Sequence, residues 1–130
     1  MDILLVDDCR LPNSMSVDIV RTAERAINAL GATNYHALLL DHDLGYGGSG
    51  YDVAECLEMW HEDGQWVPQV VELVTMNPVG RENIVRVLRN MYFHEHPNGR
   101  VFATSQESMD EYMALELTAG NPTRIQMREG

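Results

Sequence analysis

The chain has 130 residues, 45% of them hydrophobic, which is enough for one compact core and too little for two ordinary domains. A net charge of -11 with pI ≈ 4.6 excludes sequence-independent binding to long nucleic acid, which needs many basic groups to neutralise phosphates. No run reaches the roughly 18 apolar residues of a membrane span, and Met1-Asp2-Ile3-Leu4-Leu5-Val6-Asp7 lacks a basic leader, so no membrane partner and a cytoplasmic location are expected.

Ile3-Leu4-Leu5-Val6 is a short apolar run that stops at Asp7-Asp8, the pattern of a buried strand whose polar residues begin at its exit. Cys9 to Ser16 contains Pro12 and no helical period, so a loop is expected where an α/β chain usually places its first crossover helix. Val17-Asp18-Ile19-Val20 reads as a second strand. Thr22 caps a helix over Ala23 to Leu30, with Ala23, Ala26, Ile27 and Leu30 on one face and Gly31 as its stop. Ala37-Leu38-Leu39-Leu40, followed by Asp41-His42-Asp43, is the best central parallel strand. The glycines between Leu44 and Gly50 require an irregular loop that approaches other backbone closely. Ser49 caps a helix from Tyr51 to Glu62 that ends at Gly64. Val70 to Thr75 is a strand, and Asn77-Pro78 opens a helix burying Ile84, Val85, Leu88, Met91 and Tyr92. Val101 to Thr104 reads as a strand and Ser105 to Thr118 as a helix with Met109, Tyr112, Met113 and Leu117 inward. Arg124 to Arg128 is a terminal extended piece. The alternation gives an α/β fold, a three-layer sandwich with a mainly parallel sheet and the first crossover helix reduced or absent.

Ligands of open parallel sheets bind outside the carboxyl ends of the strands, and three of these strands end in polar groups. Asp7 and Asp8 leave the first, Asp41 and Asp43 the third, and Thr75 and Asn77 the fourth. Clustered carboxylates repel one another without a counter-ion, and their hard oxygens suit Mg²⁺ or Mn²⁺, which accept phosphate oxygens as further ligands. Taken singly, each acid is equally a strand terminator at the solvent. Asn77-Pro78-Val79-Gly80-Arg81 offers a phosphate cradle of helix N-terminal amides, a glycine that lets an anion approach, and a guanidinium for a bidentate grip. An ordinary helix cap is the plainer reading of the same residues. Strand alternation sends His42 into the core; turned toward the site, it would serve as a general acid or base. Arg10 either holds a phosphate or neutralises Asp7 and Asp8. His94 and His96 have metal-ligand spacing without a third ligand and read as a solvated loop. Cys9 and Cys56 read as free thiols. All nine basic residues are arginine, so Schiff-base chemistry and a lysine clamp on a phosphoryl oxygen are excluded.

The order strand-Asp7-Asp8, strand and helix over 17–30, strand-Asp41, Gly50-Tyr51-Asp52 opening a helix, and a strand ending at Thr75 resembles the response-regulator receiver fold, a flavodoxin-like architecture. That resemblance implies Mg²⁺ on Asp7 and Asp8, a phosphoryl acceptor at Asp41 and a phosphoryl-holding hydroxyl at Thr75. The chain departs from receivers in lacking their lysine and the helix after the acidic pair. A closer resemblance is to the receiver-like group described as cyclic-phosphate-processing receiver domains. It is carried by Asp7-Asp8-Cys9-Arg10-Leu11-Pro12, Asp41-His42-Asp43-Leu44-Gly45, Gly50-Tyr51-Asp52 and Met76-Asn77-Pro78-Val79-Gly80-Arg81-Glu82-Asn83. These motifs fall within residues 1–93; residues 94–130 lie beyond them as a C-terminal extension of the same single domain.

The resemblance implies processing of a cyclic phosphate, either a 2′,3′-cyclic RNA end or a cyclic nucleotide. The expected activity is a metal-dependent phosphoesterase. Asp7, Asp8 and Asp41 hold Mg²⁺ or Mn²⁺, Asp41, His42 and Asp43 form the catalytic group, and Arg10, Thr75, Asn77, Gly80 and Arg81 bind phosphate. Two other readings stand beside it: a non-catalytic protein that sequesters a nucleotide, and a degenerate receiver acting as a protein-interaction module. A homo-oligomer is left open.

Overall fold

The structure, a computed structural model, describes residues 2–8, 10–12, 17–45, 47–75, 77–115 and 125–127, with backbone alone at 10–12 and 125–127. Along these residues the elements run β1 (Ile3–Val6), β2 (Arg10–Pro12), β3 (Val17–Val20), α1 (Ala23–Ala32), β4 (Ala37–Leu40), α2 (Gly50–Glu62), β5 (Val70–Leu73), α3 (Pro78–Asn90), β6 (His94–Glu95), β7 (Val101–Ala103), α4 (Gln106–Ala114) and β8 (Ile125–Met127).

The all-apolar quartets β1 and β4 need cover on both faces, and they receive it at the centre of a sheet ordered β3-β1-β4-β5-β7-β6. β3, β1, β4 and β5 are parallel; β7 and β6 close one side antiparallel. Alternate residues then sort into two layers. Leu4, Val6, Leu38, Leu40, Val71 and Leu73 pack with Ala26 and Leu30 of α1, Val53 and Leu57 of α2, and Ile84 and Leu88 of α3. Ile3, Leu5, Leu39, Val70 and Val101 belong to the opposite layer, with Met109 and Tyr112 of α4. The result is the expected α/β sandwich with a mostly parallel sheet. Each large side chain removed from water in these layers contributes on the order of 1.5–3 kcal/mol. The second layer holds a polar contact as well, the Tyr112 hydroxyl donating to Glu72 Oε1 at 2.6 Å with both residues fully buried. Burial, then the neighbouring Glu72 charge, pushes the Tyr112 phenol far up.

Several expectations are corrected. Residues 10–12 are not loop but a strand paired antiparallel with β8, Arg10 opposite Met127. Chain order alone does not disclose so distant a pairing. Gly31 does not stop α1, which continues to Ala32 and ends when the Thr33 N–H reaches the Ala29 carbonyl. β5 ends at Leu73 and not Thr75, because beyond it only the Val74 N–H still bonds across, to Leu40. Tyr92 is not buried but 87% exposed. It takes a left-handed φ of 61° just past α3, where the Tyr92 N–H reaches the Arg89 carbonyl and the Phe93 N–H the Leu88 carbonyl. Those two bonds form a Schellman stop, in which the next residue, Phe93, packs inward with Leu88. His94 belongs to a two-residue strand instead of a loop, registered with Ala103. The expected helix at 105–118 is observed from Gln106 to Ala114; Leu117 lies outside the described residues. Among the described residues no helix is long and apolar enough to cross a membrane.

Candidate functional site

The chain leaves β1 toward β3 on one side and reaches β4 on the other, so the sheet's topological switch point lies at the β1/β4 exits. Main-chain bonds carry the ladders one residue past those strands. The Asp7 N–H donates to Val20 O at 3.2 Å and the Asp41 N–H to Val6 O at 2.9 Å. Both acids are therefore fixed at the sheet's rim and buried, with Asp7 0% and Asp41 6% exposed, while Asp8 faces solvent. Asp7, Asp8 and Asp41 each bring one carboxylate oxygen within 4.8 Å of the others. Three carboxylate oxygens so arranged could together hold a metal ion, whose charge would offset the repulsion of the grouped carboxylates.

Gly50 holds this rim from the side of α2. Its N–H donates to the His42 carbonyl at 2.8 Å, and a Cβ there would overlap the Asp41 carbonyl. No other residue lets the helix start this close. Asp52 steadies the same start by accepting the Ser49 N–H at 2.8 Å.

His42 is not a core residue. The backbone turns at the end of β4, with the Asp43 N–H directed at Asp41 Oδ1 at 3.4 Å, so strand alternation no longer governs it. Its ring lies over Gly80 of α3, where an added Cβ would clash with Cγ, Nδ1 and Cδ2 of the imidazole. Nδ1 is 2.9 Å from Asp43 Oδ1, and the side chain is 20% exposed. An ionised carboxylate only accepts, so Nδ1 is the donor in this contact. The bond from His42, then one from Asn77 Nδ2 at 3.2 Å, hold the Asp43 carboxyl below its ordinary range.

Asn77 is the hub of the α3 side. Its N–H donates to Thr75 Oγ1 at 3.1 Å, and its own Oδ1 accepts the Val79 and Gly80 N–H groups at 3.1 and 3.0 Å. The Arg81 N–H goes to the Asn77 carbonyl at 2.9 Å, and Pro78 has none. The amides of the expected phosphate cradle are thus used within the cap itself. Gly80 makes room for the His42 ring and not for an anion. The Arg81 guanidinium donates to the Gly99 carbonyl in the β6–β7 turn. The Arg10 side chain lies outside the described part. The structure therefore groups the carboxylates of Asp7, Asp8 and Asp41, links Asp41, His42, Asp43, Asn77 and Thr75 by hydrogen bonds, and ties the Arg81 guanidinium to Gly99.

One residue near the rim was not anticipated. Arg21, directly after β3, donates from Nη1 to the Asp7 carbonyl at 2.9 Å. The only sequence signal for it was its place at the exit of a strand that neighbours β1.

An open parallel sheet with acids at its switch point and a helix opened by Asn77-Pro78 defines a receiver-like domain. Residues 2–90 match the family described as Cyclic-phosphate processing Receiver domain, and the chain belongs to that family. No curated protein and no solved structure matches it.

Proposed function

We propose that this receiver domain is a metal-dependent phosphoesterase that opens a cyclic phosphate, either a 2′,3′-cyclic RNA end or a cyclic nucleotide. The observation that carries the reading is the meeting of three carboxylates within 4.8 Å, next along the chain to a histidine whose Nδ1 meets Asp43. Asp7, Asp8 and Asp41 are the residues that would hold Mg²⁺ or Mn²⁺. When bound, such an ion supplies Lewis-acid polarisation of a phosphoryl oxygen and makes a nearby water more acidic.

The chain's own residues provide the proton path. His42 Nε2 takes a proton from the attacking water as its oxygen bonds to phosphorus, and returns it to the ribose oxygen whose bond to phosphorus breaks. Asp43, accepting from Nδ1, stabilises the imidazolium formed between these steps, and Asn77 keeps Asp43 in place. The product is an acyclic phosphomonoester. Thr75 stands next to this group, its hydroxyl oxygen accepting the Asn77 N–H.

Purified protein with Mn²⁺ and a 2′,3′-cyclic nucleotide, followed by ³¹P NMR, tests the reading. The cyclic resonance should give way to that of a monoester, and Asp41→Asn should abolish the change. Turnover that survives Asp41→Asn contradicts it. One observation favours the alternative of a non-catalytic nucleotide binder, namely that the first amides of α3 are taken up by the Asn77 cap and one Arg81 donor by Gly99. Tight binding with the ligand recovered intact would select it.

A further inference from the structure

We propose that Arg21 is the positioning residue of the acidic cluster, holding the Asp7–Asp8 segment in the geometry that lets its carboxylates meet Asp41. This inference rests on the cation-site reading above. The chain leaves β1 directly toward β2, and among the described residues no helix follows Asp8 to anchor the backbone that carries the acidic pair. The anchoring comes from across the sheet instead. At the end of β3, the Val20 carbonyl takes the Asp7 N–H at 3.2 Å and the Arg21 guanidinium takes the Asp7 carbonyl at 2.9 Å, so both main-chain groups of Asp7 are held by consecutive residues.

The Asp7 carbonyl belongs to the peptide plane that leads into Asp8. Fixing it fixes the direction in which the exposed Asp8 side chain leaves the backbone. Arg21 is itself held in place, because Thr22 is the cap of α1 and accepts the Arg25 N–H at 3.2 Å. The guanidinium is planar, permanently charged and only partly exposed, which makes it a stiffer anchor than an ammonium.

Two roles for Arg21 predict opposite results. If it were merely a nearby charge, its removal would strengthen cation binding, because one repelling group would be gone. If it positions the ligands, its removal weakens binding. Mn²⁺ titrations of the full chain, read by electron paramagnetic resonance, distinguish them. Arg21→Met should weaken Mn²⁺ about tenfold, as loss of an outer-shell partner typically does, and Arg21→Lys should recover part of that. Circular-dichroism melts establish that both variants are folded, and the Asp7 carbonyl ¹³C resonance of the cation-free protein should move in Arg21→Met. Equal or tighter Mn²⁺ binding in a folded Arg21→Met overturns the proposal and leaves the cation site standing. Failure of the unaltered chain to bind Mn²⁺ overturns both.

Discussion

Replacing Gly80 by alanine tests how the histidine is held. In a helix, Gly→Ala ordinarily stabilises by about 1 kcal/mol, since glycine pays more backbone entropy. Here the new Cβ would lie 2.5 Å from His42 Nδ1, 2.6 Å from Cδ2 and closer still to Cγ. Cγ is the first ring atom, so bending the tip of the side chain does not relieve the clash; the ring must leave its position over α3. Leaving costs the His42–Asp43 hydrogen bond, worth about 1 kcal/mol, and the ring's packing, worth on the order of another. Against the gain in helix propensity, the net is a loss of about 1 kcal/mol, at the mild end of overpacking. Urea denaturation measures it, and the Asp43 carboxyl, followed by NMR, should titrate higher as its hydrogen bond from His42 is lost. A Gly80→Ala protein about 1 kcal/mol more stable than the parent, with His42 and Asp43 resonances unmoved, would refute the reasoning.

Other outcomes follow from the same contacts. Tyr112→Phe removes the donor to buried Glu72 and should destabilise by about 2 kcal/mol in urea, the range for a hydrogen bond to a charged group. Asn77→Ala should raise the Asp43 titration and destabilise the start of α3 by about 1 kcal/mol, checked by NMR titration and urea melts. Because Asp43 titrates below its ordinary value, the stability it contributes is present above roughly pH 4 and is lost as the pH falls through its folded value; in Asn77→Ala that loss sets in at a higher pH. Tyr35 is pushed up to about 12 by burial and then by its 2.7 Å bond to Asp18. Its contribution is complete below its ordinary value of 10.0 and fades as the pH rises toward 12, so ultraviolet titration should show a late phenol that shifts earlier in Asp18→Asn, while buried Tyr112 ionises later still in both proteins.

The strands that carry the acids were legible because β1 and β4 are uninterrupted apolar quartets and each ends abruptly in aspartate. Helix starts at Thr22, Ser49 and Asn77 were legible because capping chemistry is local. What the sequence hid is non-local. The β2–β8 pairing joins residues more than a hundred positions apart, and the Arg21 bond to Asp7 crosses between neighbouring strands. His42 was read by strand alternation, which ceased to apply once the backbone turned at Asp41. Arg81 and Gly80 suited a phosphate in the abstract, yet the fold supplied nearer partners, the Gly99 carbonyl for the one and the His42 ring for the other. Tyr92 followed helical spacing but fell one residue beyond the stop, where spacing no longer decides orientation.

The account turns on whether the three rim carboxylates act as one cation site. Titration of the unaltered protein with Mn²⁺ should show a single ion bound per chain. Asp8→Asn and Asp41→Asn should each weaken it by more than about 100-fold, beyond what loss of an outer-shell partner gives. Asp18→Asn, an acid on β3 bonded to Tyr35, should leave the affinity unchanged. Binding that is absent in the parent, or that persists equally in Asp41→Asn, would contradict it.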